Sequence, residues 1–376
     1  MKVLLLSQIA VVDYKYTYSL ANALKACGNE VELVIDDKKN NGYCQCKCTN
    51  KFLTSRKDIG KGKKLLNYIE TYRFIVKKAV SEHFDVVHVQ WFQFSPVDYY
   101  FLRKLKKYCI KVVISVHDIL PFDEKKYDMC FHKKLYGLCD QIIVQAETNI
   151  MRFNELFPED SNKVTFIPHG HFLDFADKHG IEESRKHLNI PQDKTVLLFF
   201  GQIKKVKGVG ILLEAFGRLA QKRDDLYLVI AGSVWKDDFG PYQEIIARYR
   251  LNDSQLKTDI RFIPDDEVGY YYSACDIAMM PYLDVYQSGV IQLVYAYGKP
   301  AVATAIAPFM EIVEDGVTGY LCQPDNVNSL AETIERAAAE KQRFASLGEA
   351  GRQKIAIKYS WDDIAAKVTE LYKNYR

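Results

Sequence analysis

The chain has 376 residues, of which 48% are hydrophobic and 26% charged, and its formal net charge is +3. This composition is typical of a soluble globular protein and excludes an extensively disordered chain. The nearly neutral charge gives no indication of nucleic acid binding, and no apolar run approaches the roughly 20 residues that a membrane span needs. The length predicts two domains, or at most three.

The cysteines and the first residues bear on cellular location. Three of the nine cysteines alternate in Cys44-Gln45-Cys46-Lys47-Cys48, which would put their thiols on one face of an extended segment. Zinc sites usually space their cysteines more widely and need a fourth ligand, so we interpret these residues as reduced thiols and expect no metal. The apolar run 3–6 ends at Ser7 without a cleavage site. We interpret it as a strand and not a signal peptide, and predict a cytoplasmic protein.

Apolar runs alternate with amphipathic segments through the first half of the chain. Strands are predicted at 2–6, 30–35, 85–89, 112–116, 141–144 and 164–168, with helices at 16–27 and 99–108. Such alternation is typical of a parallel, doubly wound sheet.

The pattern restarts in the second half. Strands are predicted at 195–200, 226–231, 260–263, 276–280 and 300–303, and helices at 209–222, 240–250, 267–274, 288–297, 327–340, 341–358 and 361–375. The sequence therefore predicts an α/β protein with two doubly wound, Rossmann-like domains, residues 1–175 and 190–358, joined by a charged linker within 174–194. We expect the domains to face a central cleft at the carboxyl ends of their strands. We expect the last segment, 361–376, to pack back on the first domain.

The segment 47–80 is unusually basic. Ten Lys or Arg residues fall between Lys47 and Lys78, against only Asp58 and Glu70. Apolar residues recur at helical spacing from 63 to 80, so the segment has two interpretations. It is either a peripheral membrane contact on an anionic surface, or a domain helix that buries its apolar face and leaves its lysines in water.

The stretch FFGQIKKVKG (199–208) joins a buried strand to an amphipathic helix. Its glycines let the backbone approach a ligand closely, and a helix N-terminus favours negative charge. Lysines at this point suit a phosphate or diphosphate. Taken alone, such a turn is more often only solvated, so its interpretation depends on the rest of the chain.

Other polar residues follow predicted strands. His117 and Asp118 follow the strand 112–116, and His169 follows 164–168, while Ser233 follows 226–231. Ser288, Gly289 and Val290 open a helix whose backbone N–H groups could meet a phosphate, and Glu311 follows the strand 300–303 through an Ala/Pro loop. A single histidine at such a position is more often structural than functional, but two at equivalent ends of one sheet strengthen the functional interpretation.

The order and spacing of these motifs resemble a known family. The second half is similar to the donor-binding domain of glycosyltransferase family 4, which has the GT-B fold. The matching stretches are FFGQIKKVKG (199–208), LLEAF (212–216), LVIAGS (228–233), RFIPDDEVGYYYSACDIAMMPY (261–282), SGVIQLVYAYGKPAVAT (288–304) and MEIVEDGVTGYL (310–321). The first half resembles the acceptor domain more loosely, through YTYSLANALKACGNEVELV (16–34), VVHVQW (86–91), VVISVHDILP (112–121), CDQIIVQAE (139–147) and KVTFIPHG (163–170).

The resemblance implies transfer of a sugar from a nucleoside diphosphate donor, such as a UDP- or GDP-sugar, to a hydroxyl of a glycan or lipid-linked glycan. It implies donor-side roles for Gly201, Lys204, Lys207, Ser233, Ile263, Ser288, Gly289, Val290, Gln292 and Glu311. In this assignment Lys204 and Lys207 hold the diphosphate and offset the charge of the leaving group. Ser288, Gly289 and Val290 lie at the pyrophosphate, Ile263 flanks the base, and Glu311 contacts ribose or sugar hydroxyls. Lysines and a helix dipole replace a metal in this fold, so no cofactor is expected.

On the acceptor side the resemblance implies His117, with Asp118 and His169 nearby. If the reaction inverts configuration it needs a general base, for which Asp13, His117 and Asp118 are candidates; if it retains configuration, no such base is required. The chain departs from many relatives at a pair of glutamates eight positions apart, where it has Val285 and Leu293. The nearby polar residues are Asp284, Gln287 and Gln292.

The sequence as a whole favours a metal-independent hexosyltransferase of surface polysaccharide or glycolipid synthesis, with possible membrane contact through 47–80 and no nucleic acid partner. Two alternatives stay open. One is a sugar-nucleotide epimerase or phosphorylase on the same fold, and the other is a non-catalytic sugar-nucleotide-binding scaffold, which the missing glutamate pair motivates.

Overall fold

The structure is a computed structural model that describes residues 1–36, 42–56, 58–122, 127–235 and 238–373, with only the helical backbone at 10–13. Its contacts divide the chain into two compact units. The first comprises residues 1–170 and 359–376, and the second comprises residues 171–358.

The first unit is built around a seven-stranded parallel sheet. Its elements are β1 (Lys2–Ser7), α1 (Ala10–Ala26), β2 (Glu30–Ile35), β3 (Lys47–Asn50), α2 (Lys61–Ser81), β4 (Val86–Val89), α3 (Ser95–Lys107), β5 (Lys111–Val116), α4 (Asp128–Leu138), β6 (Gln141–Val144), α5 (Thr148–Leu156) and β7 (Val164–Phe166). The strand order is β3-β2-β1-β4-β5-β6-β7. The chain starts at the centre and winds outward in both directions, so the carboxyl ends of β1 and β4 lie at the switch point where ligands bind in such sheets.

The second unit is built around a six-stranded parallel sheet in the order β10-β9-β8-β11-β12-β13. Its elements are α6 (Ile181–His187), β8 (Thr195–Phe200), α7 (Val209–Ala220), β9 (Leu226–Ala231), α8 (Gly240–Arg248), β10 (Leu256–Asp259), α9 (Asp265–Ala274), β11 (Ile277–Met280), α10 (Gly289–Ala296), β12 (Ala301–Thr304), α11 (Ala307–Ile312), β13 (Gly319–Cys322), α12 (Val327–Ala339) and α13 (Phe344–Lys358). The last helix, α14 (Trp361–Lys373), belongs to the first unit and packs on α1.

The predicted α/β class with two parallel, doubly wound sheets is confirmed. Both central strands, β1 and β8, are almost wholly buried because helices cover both faces of a parallel sheet. The strand predicted at 260–263 is wrong: the strand is β10, and Ile263 lies in the loop that follows it. Asp265 and Asp266 occupy the first turn of α9, where Pro264 is the N-cap. The short elements β3, β13, α4, α5 and α11 were not predicted.

The segment predicted as a linker instead contains α6, which packs on α9. Arg185 of this helix is buried, and its guanidinium donates to the Asp276 carboxylate at 2.8 Å and to the Ala274 carbonyl oxygen at 3.0 Å. Asp276 also accepts from the backbone N–H of Val196, at the start of β8. Helix α6 is therefore an integral part of the second unit.

Helix α2 buries only part of the apolar face that the sequence identifies: Tyr72 and Ile75 are buried, whereas Leu65 and Leu66 are exposed. Tyr68 and Tyr72 are buried and donate to one oxygen of the buried Asp98 carboxylate in α3, at 2.6 and 2.8 Å. Burial raises the pKa of Asp98 to about 6. The interpretation as a packed domain helix therefore holds for the buried part of this face, while Leu66 remains 64% exposed. None of the helices in the described ranges is long and apolar enough to cross a membrane.

Candidate active site

The loop after β8 lies at the carboxyl end of the second sheet. Gly201 has a φ of 129°, which favours glycine, and its N–H donates to the carbonyl oxygen of Ala231 at 3.0 Å. Ile203 donates to the carbonyl oxygen of Ser233 at 2.9 Å, so the loops after β8 and β9 run together. Gly208, with a φ of 68°, then begins α7 against the carbonyl oxygen of Pro281. The loop 201–208 is thereby fixed against the ends of β9 and β11.

Helix α10 begins beside this loop. A Cβ atom on Gly201 would lie 3.8 Å from a methyl group of Val290, in the first turn of α10. The N-cap of the helix is Ser288, which is 7% exposed, and its hydroxyl lies near that of Tyr282 without a well-formed hydrogen bond. Burying a hydroxyl without a good hydrogen bond lowers the free energy of unfolding by about 1–3 kcal/mol. Here the hydroxyl lies at the positive end of a helix. The sheet therefore brings Gly201, Ser288, Gly289 and Val290 together, as the sequence predicts.

Two lysines of the loop rest on aromatic rings. Lys207 Nζ lies 3.7 Å from the ring centre of Tyr282, and Lys204 Nζ lies 5.6 Å from that of Trp235. Both lysines are half-buried, whereas Lys205 is exposed. An ammonium over a ring face is attracted to it while keeping its full charge. The sequence analysis missed Tyr282 and Trp235, although both are aromatic residues that follow a strand of this sheet.

The other predicted donor-side residues surround this group less directly. Ser233 is half-buried after β9, Gln292 is fully buried in α10, and Ile263 is buried in the loop before α9. Glu311 is half-buried in α11, and Phe309 of the same helix packs on Tyr282 with ring centres 5.2 Å apart. Glu311 is thus connected to the lysine loop through Phe309 and Tyr282.

In the first unit, His117 lies at the end of β5 and is buried. Its Nε2 lies 3.0 Å from Gln90 Oε1. The imidazole stacks on Trp91, with centres 4.7 Å apart and planes at 14°, and meets the edge of Tyr16 at 5.0 Å. Gln90 and Trp91 follow β4, so two neighbouring strands hold this histidine.

His169 lies on the other side of Tyr16, with ring centres 4.9 Å apart, and its Nδ1–H donates to the carbonyl oxygen of Gly170 at 2.7 Å. The structure therefore brings His117 and His169 together around one tyrosine. Asp118 is exposed next to His117. Asp13 belongs to α1, but its side chain lies outside the described residues. The sequence analysis missed Tyr16, Gln90 and Trp91, for which chain position alone gave only a weak signal.

Burial lowers the pKa of three histidines in this unit. Burial lowers the pKa of His117 well below its ordinary value, with His169 as a smaller cause, and lowers that of His169 itself to about 4. Burial also lowers the pKa of His88 to about 3.

His88 joins the Tyr372 hydroxyl of α14, at 2.6 Å, to the Ser115 hydroxyl of β5, at 2.9 Å. Ser115 in turn lies 3.4 Å from the hydroxyl of Tyr16, so a buried polar chain connects α14 to the ring between His117 and His169.

Within the described ranges, no three His, Cys, Asp or Glu side chains are arranged to hold a metal ion. Cys44 and Cys46 are buried against α1, where the Cys46 thiol lies 3.5 Å from the carbonyl oxygen of Ala21.

Comparison with known families accounts for both units. The family model for glycosyl transferases group 1 matches residues 180–354, and that for glycosyltransferase family 4 matches residues 15–175. The chain is a family 4-like glycosyltransferase with the GT-B fold. The predicted family, fold and general enzyme class are therefore confirmed.

Curated relatives of this glycosyltransferase are distant. It is 29% identical to the lipopolysaccharide 1,2-N-acetylglucosaminetransferase of Salmonella typhimurium over 241 residues, which are 62% of each chain. It is 22% identical to the D-inositol 3-phosphate glycosyltransferase of Corynebacterium urealyticum, over 62% of this chain and 57% of that protein. The alignments therefore span less than two thirds of the length of these two enzymes.

Solved structures share the fold. Sucrose-phosphate synthase from Thermosynechococcus elongatus superposes with a TM-score of 0.78 at 18% identity, covering 99% of this chain and 98% of that one. Anabaena HepE in complex with UDP and glucose gives the same TM-score and identity, covering 99% of each chain.

Proposed function

We propose that this glycosyltransferase moves a hexosyl group from a nucleoside diphosphate sugar to a hydroxyl of a glycan or lipid-linked glycan. The observation that carries the proposal is the buried Ser288 hydroxyl at the N-terminus of α10, which lies beside the glycine loop and forms no well-formed hydrogen bond. A diphosphate supplies the acceptor oxygens that this hydroxyl and the first N–H groups of α10 would bind.

The same group of residues suits the leaving group. As the bond from the anomeric carbon to the β-phosphate oxygen breaks and the bond to the acceptor oxygen forms, negative charge grows on the departing nucleoside diphosphate. Lys204, Lys207 and the helix dipole would offset that charge, so the reaction would proceed without a metal. The acceptor hydroxyl must also lose its proton.

The environment of His117 supports a positioning role more than that of a base. A general base works best with a pKa near the working pH, and burial lowers the pKa of this imidazole well below that range. Trp91, which is half-buried and stacks on His117, offers an aromatic surface of the kind that suits a sugar ring. Asp13 and Asp118 remain the candidate bases if configuration is inverted.

The relatives suggest which substrates to test first. The Salmonella enzyme is named for lipopolysaccharide and N-acetylglucosamine, and the Anabaena protein was solved with UDP and glucose. We therefore propose UDP-glucose and UDP-N-acetylglucosamine as first donors, and a role in surface polysaccharide synthesis.

A peripheral membrane contact forms the second part of the proposal. Leu66 and Arg73 lie on one face of α2 because they are two turns apart, and Arg73 lies near the exposed Tyr100 of α3. Lys104 Nζ is 4.7 Å from the ring centre of Tyr100. This α2–α3 surface (Leu66, Arg73, Tyr100 and Lys104) combines apolar, aromatic and basic groups, which suits an anionic lipid surface.

The enzymatic part is tested by incubating the chain with each UDP- or GDP-sugar, in EDTA, and a panel of glycan and lipid-linked acceptors. We expect release of nucleoside diphosphate that depends on the acceptor and yields a glycosylated product. Tight donor binding without turnover over the whole panel would contradict the proposal. It would instead favour the scaffold function, which the buried apolar side chains of Val285 and Leu293 suggest.

The membrane part is tested by sedimentation with vesicles of phosphatidylcholine alone or with phosphatidylserine. We expect salt-sensitive binding only to the anionic vesicles, weakened at least about fivefold by Arg73→Glu combined with Leu66→Glu. Ile357→Glu, which changes an exposed apolar residue of the other unit, is the control. Equal binding by both variants would exclude the α2–α3 surface.

A further inference from the structure

Two aromatic rings contact the lysines of the loop 201–208, and the ring of Tyr282 lies closer to its lysine than the other. Its ring is buried, and Lys207 Nζ lies 3.7 Å from the ring centre. We propose that Tyr282 is a positioning residue that holds the Lys207 ammonium where it binds the donor diphosphate. The inference rests on the proposed function, because it assigns Lys207 to that diphosphate.

The backbone fixes Tyr282 against the loop on both sides. The N–H of Leu283, the next residue, donates to the carbonyl oxygen of Val206 at 2.8 Å. The carbonyl oxygen of Tyr282 accepts from the Thr304 hydroxyl at the end of β12, at 2.6 Å. Gly208 is kept free of a side chain by the carbonyl oxygen of Pro281. These contacts fix the backbone that carries the ring next to Lys207.

An aromatic ring is a suitable support for a lysine that must bind an anion. A ring attracts an ammonium through its quadrupole and, unlike a carboxylate, adds no opposing charge of its own. Burial raises the pKa of the Tyr282 hydroxyl, so the ring stays neutral. The fixed ammonium also loses less side-chain entropy when it binds the ligand.

Tyr282 also couples the loop to α11. Its ring packs on Phe309, with centres 5.2 Å apart, and Phe309 lies two residues before Glu311. One tyrosine therefore supports both Lys207 and the helix that carries the predicted sugar contact.

A double-mutant cycle on the full chain separates positioning from simple packing. UDP affinity is measured by calorimetry for wild type, Lys207→Ala, Tyr282→Leu and the double variant, with GDP and ADP in parallel. We expect Tyr282→Leu to weaken UDP binding about tenfold in the wild-type background and less than about twofold when Lys207 is already alanine. Tyr282→Phe, which keeps the ring, should restore affinity to within about twofold of wild type.

Two controls make the result specific. Tyr320→Leu removes another buried ring under a cation, Arg336 at 5.0 Å, and should lower stability without changing UDP affinity. In wild type, the ε-protons of Lys207 should show an upfield NMR shift from the ring current, assigned by its loss in Lys207→Ala. This second measurement needs no Tyr282 variant.

Each outcome has one meaning. Equal weakening by Tyr282→Leu in both backgrounds, or no upfield lysine signal in wild type, would overturn the positioning role and leave the proposed function intact. If Lys207→Ala leaves the affinity for all three nucleotides unchanged, the diphosphate assignment itself fails, and the inference fails with it.

Discussion

A Cβ atom on Gly232 would lie 1.9 Å from the carbonyl oxygen of Gly201. The φ of Gly232, 148°, is also one that other residues rarely adopt. The first residues after β8 and β9 therefore approach as closely as glycine allows. We expect Gly232→Ala to lower the free energy of unfolding by about 3 kcal/mol and to weaken UDP binding by displacing the loop 201–208. Urea unfolding and UDP titration measure both effects. Gly62→Ala, at a helical position with open space, should lower neither; equal losses in the two variants would contradict the account.

Ser288→Ala should affect stability and binding in opposite directions. Removing a buried hydroxyl that forms no well-formed hydrogen bond should leave the free energy of unfolding unchanged or raise it by up to about 1 kcal/mol, while UDP affinity falls about fivefold. Thermal unfolding without ligand and calorimetric titration give the two values. The exposed Ser346→Ala is the control. A destabilised variant with unchanged UDP affinity would mean that the Ser288 hydroxyl serves the fold alone.

Arg185→Met tests whether α6 is part of the second unit. The guanidinium is buried on Asp276, and losing one partner of a buried pair typically costs about 3–5 kcal/mol. We expect a loss of about 3 kcal/mol in urea unfolding followed by the fluorescence of Trp235, which lies in this unit. Arg223→Met removes an exposed pair with Asp225 and should cost less than about 1 kcal/mol. Similar losses would indicate that α6 is only loosely attached.

The buried His88 predicts acid sensitivity of the first unit. In the folded chain burial lowers its pKa to about 3, whereas an unfolded histidine has a pKa near 6.5. Below about pH 6.5 the unfolded state therefore takes up a proton that the folded state does not, and stability falls as the pH falls towards 3. This histidine should account for about 2 kcal/mol of lost stability between pH 7.5 and pH 5.

Urea unfolding of wild type and His88→Gln at the two pH values measures this contribution. The loss on acidification should be smaller by about 2 kcal/mol in the variant, whatever its absolute stability. His83→Asn, at an exposed position of the same unit, should keep the wild-type loss. An unchanged loss in His88→Gln would contradict the assignment.

Sequence reasoning found the parts of the fold that long apolar runs specify. The central strands β1 and β8 are continuous apolar segments because both faces of each sheet are covered. It failed where elements are short or charged. The sequence of β10 is Leu-Lys-Thr-Asp, so the pattern favours the more apolar run at 260–263 as the strand. The sequence of helix α6 resembles that of a linker because it is rich in charged residues. Arg185 is the one that points inward, and the sequence does not distinguish it from the others.

The residues of the candidate site also fall into those that the sequence indicates and those that it does not. The placement of Gly201, Lys207 and Ser288 after strands could be predicted, and their role in binding stays a prediction. The contacts of Tyr282 and Gln90 could not be predicted, because they depend on which strands are neighbours in the sheet. Tyr282 follows β11, which pairs with β8, and Gln90 follows β4, which pairs with β5. The order of strands, and not the local sequence, brings these side chains to Lys207 and His117.

The most direct test of the donor site is calorimetric titration of UDP, GDP and ADP, in EDTA, into wild type, Lys207→Ala and Lys205→Ala. Lys205 is two residues away, carries the same charge and is exposed. We expect at least one nucleoside diphosphate to bind wild type, Lys207→Ala to weaken it at least about tenfold, and Lys205→Ala to change it less than about twofold. Binding of none of the three nucleotides, or equal weakening by the two substitutions, would contradict the account.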